Sequence, residues 1–295
     1  MLSLPCVPDS PFCNKSCSIM QRFTKPSMGS WSPGAALLPF YLLQRTDIVQ
    51  MDKIPLETSI DDAVIRYRDC FSVRYIQAAA LLCRLGYTIE QQYRGAPDIP
   101  QDALLRHEAF MLNSILSSVA FLESAINDLY ADAADEAYLL HDESHEALLH
   151  RISEGWKNEK NFDRAPLLTR YQKILALADI APFEEGDRAY DNVRDLIEIR
   201  NYLMHHRREW VEVGEKGVFG TGEKTTAEKF ARALKRKFAV NPFAHKSLPF
   251  FPDQCLGHGC AEWAVVNSLI FTDAFFQKLG IAPPYHAVRE ELMTR

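Results

Sequence analysis

The stretch QDALLRHEAFMLNSILSSVAFLESAINDLYADAA, residues 101–134, decides the fold class of this chain. Its apolar side chains recur at helical spacing, at Leu112, Leu116, Val119, Ile126 and Tyr130. A helix over this stretch would be roughly 50 Å long, because each helical residue advances the chain by about 1.5 Å. A helix of that length is a natural spine for a helical bundle.

The same periodicity continues on both sides of the spine. Thr58 and Ser59, followed by acidic residues, are typical of a helix N-terminus, so we expect a helix from Ser59 to Leu85 that stops at Gly86. Shorter helical patterns cover residues 143–157, 164–180, 187–209, 224–238 and 258–279. The one strand signal is WVEVGEKGVF, residues 210–219, which suits a small β-hairpin near 210–220. The sequence therefore predicts an all-α fold, a helical bundle forming a single domain over residues 55–285.

Composition sets limits on the ends and on the partners. Residues 1–50 are rich in proline and serine, so we expect a poorly ordered tail, and Met28 and Met51 are alternative start sites to Met1.

The net charge of −6 provides no global field for nucleic acid, so any RNA contact would depend on a local basic patch. The seven cysteines form no disulfide framework and no secretory signal is visible, which favours a cytoplasmic location. No membrane association is expected.

Two charged side chains lie on apolar helix stripes. On a helical wheel of residues 187–209, Arg200 falls in the middle of the stripe formed by Ala189, Val193, Leu196, Ile197, Leu203 and Met204. On the spine, Glu123 lies near the centre of the apolar stripe, and Asn127 is one turn further on. A buried charge needs a partner, so we expect Glu123 or Asn127 to bond Arg200 or Asn201, most simply as a buried Glu123–Arg200 ion pair.

A histidine follows this arginine on the same helix. His205 is the i+4 neighbour of Asn201 and shares its flank, whereas His206 projects to the other side. Taken alone, an arginine and a histidine five positions apart are weak evidence, because a salt-bridged arginine and a solvated histidine produce the same pattern.

Three stretches together resemble the HEPN-domain superfamily. LIEIRNYLMHHRREW, residues 196–210, is similar to the family's signature helix, in which an arginine, often followed by asparagine, precedes a histidine by four to six residues. AFLESAINDLY, residues 120–130, resembles the accompanying long helix, and CAEWAVVNSLIFTDAFF, residues 260–276, resembles the closing helix. His206 would also satisfy the spacing. The resemblance covers residues 100–280 and excludes the N-terminal tail.

The resemblance implies a function as well as a fold. Active members of the family are metal-independent endoribonucleases, often homodimers, in which the arginine and histidine of two facing helices line a cleft. In this chain Arg200 and His205 would be catalytic with Asn201, and Glu123, Asn127 and His206 would support them. The same resemblance allows a toxin-antitoxin or defence role with an antitoxin-like protein partner. Other members are catalytically inactive modules that bind protein or nucleic acid, and a third alternative is that Arg200 only pairs with Glu123.

One basic cluster could contact RNA phosphates. It comprises Arg207, Arg208, Lys235 and Arg236, extended by Lys229, Arg232 and Lys237. A solvated helix face produces the same pattern.

Other motifs fail on inspection. GVFGTGEKT, residues 217–225, lacks the lysine that a phosphate-binding loop carries directly after its second glycine. HDESHEALLH, residues 141–150, and the group Cys255, His258 and Cys260 lack a complete ligand set for zinc. We therefore expect no metal and no cofactor.

Overall fold

A computed structural model describes residues 70–134, 143–158, 164–205 and 226–295, together with four three-residue strands. The chain divides into two compact units, Met1–Cys70 and Phe71–Arg295. In the first unit, strand β1 (Gln21–Phe23) pairs antiparallel with strand β2 (Val64–Arg66). The rest of the predicted 1–50 tail lies outside the described residues.

The second unit is built from helices, as the sequence predicts. They are α1 (Phe71–Gln92), α2 (Gln101–Ala134), α3 (Glu143–Asn158), α4 (Leu167–Leu177), α5 (Arg188–Met204), α6 (Thr226–Leu234) and α7 (His258–Leu279). Short helical turns cover Phe250–Gln254 and His286–Leu292. Strands β3 (Glu212–Gly214) and β4 (Gly217–Phe219) form an antiparallel hairpin inside the predicted 210–220 stretch. All-helical architecture is thus confirmed for the described part of this unit, apart from that hairpin.

The predicted helix from Ser59 to Leu85 is wrong at both ends. Residues 64–66 are in strand β2, and α1 begins only at Phe71. Gly86 does not end α1, which continues to Gln92. The glycine is buried inside the helix, and the Met111 side chain of α2 packs against it. The glycine is therefore explained by a close helix–helix approach and not by a C-cap.

α1 and α2 form an antiparallel helical hairpin at the centre of the bundle. The Ser114 hydroxyl of α2 donates to the Ala79 carbonyl of α1 at 2.8 Å, which bonds the two helices midway along their contact. The buried apolar side chains of α2 include Ile115, Leu122 and Ile126, all with no exposed area. Among the described helices, α2 alone is long and apolar enough to span a membrane by length and composition, and half of its apolar window is buried inside the protein.

α7 covers the α1–α2 hairpin and ends as the sequence predicts. Gly280 takes a left-handed conformation, with φ of 73°, and the Ile281 amide bonds back to the Phe276 carbonyl at 3.1 Å. Only glycine adopts this conformation without strain, so the helix stops there. Tyr171 of α4 packs edge-on against Phe271 and Phe275 of α7, which joins α4 to the same core.

From the sequence, the helix predicted over residues 187–209 is expected to pack lengthwise against the 101–134 helix, but the observed contact of α5 with α2 is limited. The lengthwise partner of α2 is α1, whereas α5 contacts both α2 and α7. Its N-terminus is capped by the Asp187 carboxylate, which accepts the Ala189 amide at 2.9 Å. The helix ends at Met204, five residues before the predicted end. The stripe is also shifted, because Asn192 and Ile199 are buried whereas Met204 is 58% exposed.

Candidate functional site

An ion pair joins the spine helix to α5. Nη2 of Arg200 donates to Oε1 of Glu123, so the predicted pairing is present. The helical wheels predicted a buried pair, but 22% of the Arg200 side chain and 40% of the Glu123 side chain are exposed. The shifted α5 stripe explains the difference: Arg200 lies at the edge of the packed face, where its guanidinium reaches solvent and α2 together.

Asn201 and His205 follow Arg200 in sequence at the C-terminal end of α5. Both are exposed. His205 is the residue that ends the helix, and its backbone amide donates to the Asn201 carbonyl at 3.0 Å. The structure therefore places three polar side chains on the last helical turn and its cap, with Arg200 held by Glu123 and the other two open to solvent.

Asn127 has a different partner from the predicted one. Its Oδ1 accepts from Nη1 of Arg170 at 2.6 Å, and Arg170 belongs to α4. Since Glu123 and Asn127 are four positions apart on α2, the two pairs lie on consecutive turns of one helix face. Two arginines from two helices are thus brought together along α2.

Arg170 is the site residue that the sequence analysis missed. It is only 8% exposed, and among the described residues its Nε has no hydrogen-bond partner. The signal was in the sequence: Arg170 falls within the α4 stripe of Leu167, Tyr171 and Ile174, as Arg200 falls within the predicted stripe of α5. Arg170 therefore shows the same sequence signal as Glu123 and Arg200, a charged side chain on an apolar helix stripe.

The predicted basic cluster is divided in the structure. Lys229 pairs with Glu198 at 2.7 Å, and Lys237 pairs with Asp195 at 2.7 Å. Lys235 and Arg236 are exposed and form no ion pair within the described part of the chain. His206, Arg207 and Arg208 lie outside the described residues. The positive charge left for a ligand is therefore smaller than the sequence suggests.

A second polar cluster is buried where α1, α2 and α7 meet. Oε1 of Glu90 lies 2.8 Å from Nε2 of His107 and accepts the His258 amide at 2.7 Å. Gly257, at the N-cap of α7, has no side chain to cap the helix, so Glu90 takes that role. His107 and His258 are 1% and 5% exposed, which leaves no access for a substrate. This cluster is structural.

The surroundings of the buried cysteines Cys83 and Cys260 raise their thiol pKa values and so lower their reactivity. Burial raises the pKa of the Cys83 thiol to about 12, and the Glu262 and Glu90 carboxylates add to the effect. A hydrogen bond with Cys255 and burial raise the pKa of Cys260 as well. Cys260 is a small buried side chain, as expected from its place on the apolar face of α7. Among the described residues no group of three or more His, Cys, Asp or Glu side chains could hold a metal ion.

Comparison with known proteins adds no relative. The chain matches no protein-family model, no curated protein and no solved structure. The functional argument therefore depends on the residues and their geometry.

Proposed function

We propose that this protein is a metal-independent endoribonuclease of the HEPN type, with Arg200, Asn201 and His205 as its catalytic residues. The observation that carries the proposal is the Glu123–Arg200 pair, which holds a partly exposed guanidinium near the C-terminal end of α5, where the exposed residues Asn201 and His205 follow in sequence. An arginine, an amide and an imidazole on one exposed turn are the groups that phosphodiester transesterification needs.

The reaction follows from these side chains. His205 accepts the proton of the RNA 2′-hydroxyl while that oxygen attacks the adjacent phosphorus, and the bond from phosphorus to the 5′-oxygen breaks. The leaving oxygen takes a proton from the protonated His205 of a second copy across the cleft, which leaves a 2′,3′-cyclic phosphate and a 5′-hydroxyl. Arg200 stabilises the charge that develops on the phosphate oxygens, and Asn201 orients the phosphate.

The proposal includes assembly and partners. Two copies of the protein form a homodimer, and each supplies one half of the cleft. The substrate is RNA, contacted at its phosphates by Lys235 and Arg236, both of which are exposed. Arg207 and Arg208 also contact RNA phosphates, and His206 supports the catalytic residues. An antitoxin-like protein restrains the enzyme, and the location is cytoplasmic. A role in toxin–antitoxin or defence systems would follow from such restraint.

A catalytically inactive HEPN-like module is the second candidate. The same ion pair favours it, because the Glu123 carboxylate neutralises the arginine that catalysis would use. In this alternative the helical unit binds a protein or nucleic acid and cleaves nothing.

RNA cleavage by the purified protein in excess EDTA distinguishes the two candidates. The wild-type protein should cleave RNA with chelator present, and Arg200→Ala and His205→Ala should each lower the rate by roughly 100-fold or more. His286, an exposed histidine on the C-terminal turn, provides the matched control, and His286→Ala should keep full activity. His206→Ala should be milder than His205→Ala.

Folding must be measured on the same variants. Because Glu123 keeps 40% of its side chain exposed, Arg200→Ala should cost about 1 kcal/mol of stability or less. Loss of activity in a folded variant would then come from loss of the catalytic side chain and not from unfolding. Full activity without His205, absence of chelator-resistant cleavage, or a monomer by light scattering across the micromolar range would count against the enzyme and leave the binding module.

A further inference from the structure

Two arginine pairs lie side by side on α2. Glu123 accepts a hydrogen bond from Arg200 of α5. One turn later, Asn127 accepts one from Arg170 of α4. Four helical residues advance by about 6 Å, so the points of attachment are about one turn apart. The two guanidinium groups are therefore neighbours on one side of the bundle although they come from separate helices.

The two pairs differ in charge. Arg200 faces a carboxylate, and the ion pair is neutral as a whole. Arg170 faces a neutral amide, and within the described residues it forms no ion pair. It also lies in the first turn of α4, at the positive end of that helix, whose N-cap residue Pro166 provides no side-chain hydrogen bond. The positive charge at Arg170 is thus not compensated by a contacting acid.

The position of Arg170 is rigid. The Tyr130 hydroxyl donates to the Arg170 carbonyl at 3.4 Å, and the Tyr171 hydroxyl donates to the Leu122 carbonyl at 2.7 Å. Both bonds tie the start of α4 to α2. With only 8% of its surface exposed, Arg170 has lost most of its hydration, and its Nε is left without a partner among the described residues. A desolvated, fixed cation that contacts no acid among the described residues favours an anion beside it.

The neighbour of the cation that is open to solvent is Asn127. Asn127 is exposed, and Nη1 of Arg170 contacts it. An anion bound at Asn127 would therefore lie next to the Nη1 side of the guanidinium. An amide next to a guanidinium offers NH donors to phosphate oxygens after a small rotation of the Asn127 side chain.

We infer that Arg170 and Asn127 form a second phosphate subsite, which binds the RNA phosphate next to the one held at Arg200. The inference rests on the proposed function for the identity of the ligand, an RNA strand lying along α2. The subsite fixes the register of the strand and so directs one phosphodiester to Arg200 and His205. Arg170 is a positioning residue that binds the strand beside the reacting phosphate.

The test uses Asn127→Asp in the full-length protein. The new carboxylate would neutralise Arg170 in place, so the variant should fold with an unchanged or higher melting temperature. It should nevertheless bind a fluorescent 12-mer of 2′-O-methyl RNA, which cannot be cleaved, roughly five- to tenfold more weakly, with a salt dependence lower by about one phosphate contact. Asn113→Asp is the matched control, since Asn113 is an exposed asparagine on the same helix, and it should bind like the wild-type protein.

The outcomes separate this inference from the proposed enzyme. If Asn127→Asp is more stable yet binds the 12-mer as well as Asn113→Asp does, Arg170 is only structural and the inference is overturned. Failure of the wild-type protein to bind the 12-mer overturns it too. If His205→Ala keeps full cleavage activity while Asn127→Asp still weakens binding, the subsite stands as a nucleic-acid contact and the catalytic proposal fails alone.

Discussion

Gly86 of α1 and Met111 of α2 pack so closely that any side chain added at the glycine would have to displace the end of the Met111 side chain. A Cβ atom built on Gly86 would overlap the terminal methyl group of Met111. Both residues are buried, Met111 completely. The close approach sets the spacing of the α1–α2 hairpin, on which α7 and the candidate site depend.

Gly86→Ala should therefore destabilise the protein. A glycine-to-alanine change inside a helix normally stabilises it by about 0.5–1 kcal/mol, but overpacking here should reverse the sign and cost about 1–3 kcal/mol. Urea unfolding monitored by circular dichroism measures the change. In Gly86→Ala/Met111→Ala the new methyl group occupies space that Met111 vacates, so the combined cost should be less than the sum of the two single costs. A Gly86→Ala variant as stable as the wild-type protein would contradict the close packing.

Glu90 should be the most costly acidic residue to replace in this part of the chain. Its carboxylate contacts His107 and caps α7 through the His258 amide, and both histidines are buried. Glu90→Ala removes the partner of the His107 ring nitrogen and of the His258 backbone amide, and it should cost about 3 kcal/mol or more. Asp102→Ala is the contrasting variant, because Asp102 pairs with Arg106 at the surface, where both side chains are at least 60% exposed, and it should cost less than about 1 kcal/mol. Equal losses in chemical denaturation would show that burial does not determine the cost.

Thiol labelling should discriminate among the cysteines of the folded protein. Burial raises the pKa of Cys83 to about 12, so its thiol is almost entirely protonated at pH 8, and it is also shielded from solvent. Cys70 is partly exposed. Among the four cysteines that the structure describes, iodoacetamide followed by peptide mass mapping should therefore modify Cys70 first and leave Cys83 unmodified until denaturant is added. Rapid native labelling of Cys83 would be inconsistent with its described position.

Glu262 should contribute a pH-dependent part of the stability. Burial raises the pKa of this carboxyl, but hydrogen bonds from Arg295 and Thr294 outweigh burial, so the pKa lies below its ordinary value of 4.5. A lowered folded-state pKa stabilises the protein above the unfolded-state value, and that stability is lost as pH falls through the folded-state value. The difference in melting temperature between wild-type protein and Glu262→Gln should therefore shrink on acidification from about pH 5 to pH 3. A constant difference over this range would argue against the contacts.

Local signals in the sequence were sufficient to locate the helices that carry the core. α2 occupies Gln101–Ala134 and α7 occupies His258–Leu279, both with the predicted bounds. Such bounds are set within a turn or two of the chain, by Pro100 before α2 and by Gly280 after α7. The apolar period is equally local, so the helical class needed no tertiary information.

The contacts between helices depended on the tertiary structure. The sequence placed Glu123 and Arg200 on facing stripes, and they do meet, but the degree of exposure of the pair followed from a shift of the α5 stripe that only packing could set. Asn127 accepts a hydrogen bond from Arg170, 43 positions away, whereas a partner on α5 was predicted. Gly86 was predicted to end a helix, but it lies inside α1. The Met111 side chain of α2 occupies the space where a larger side chain would lie. Helix type follows from neighbours in sequence, whereas partners depend on how whole helices pack, and that information is spread over the entire core.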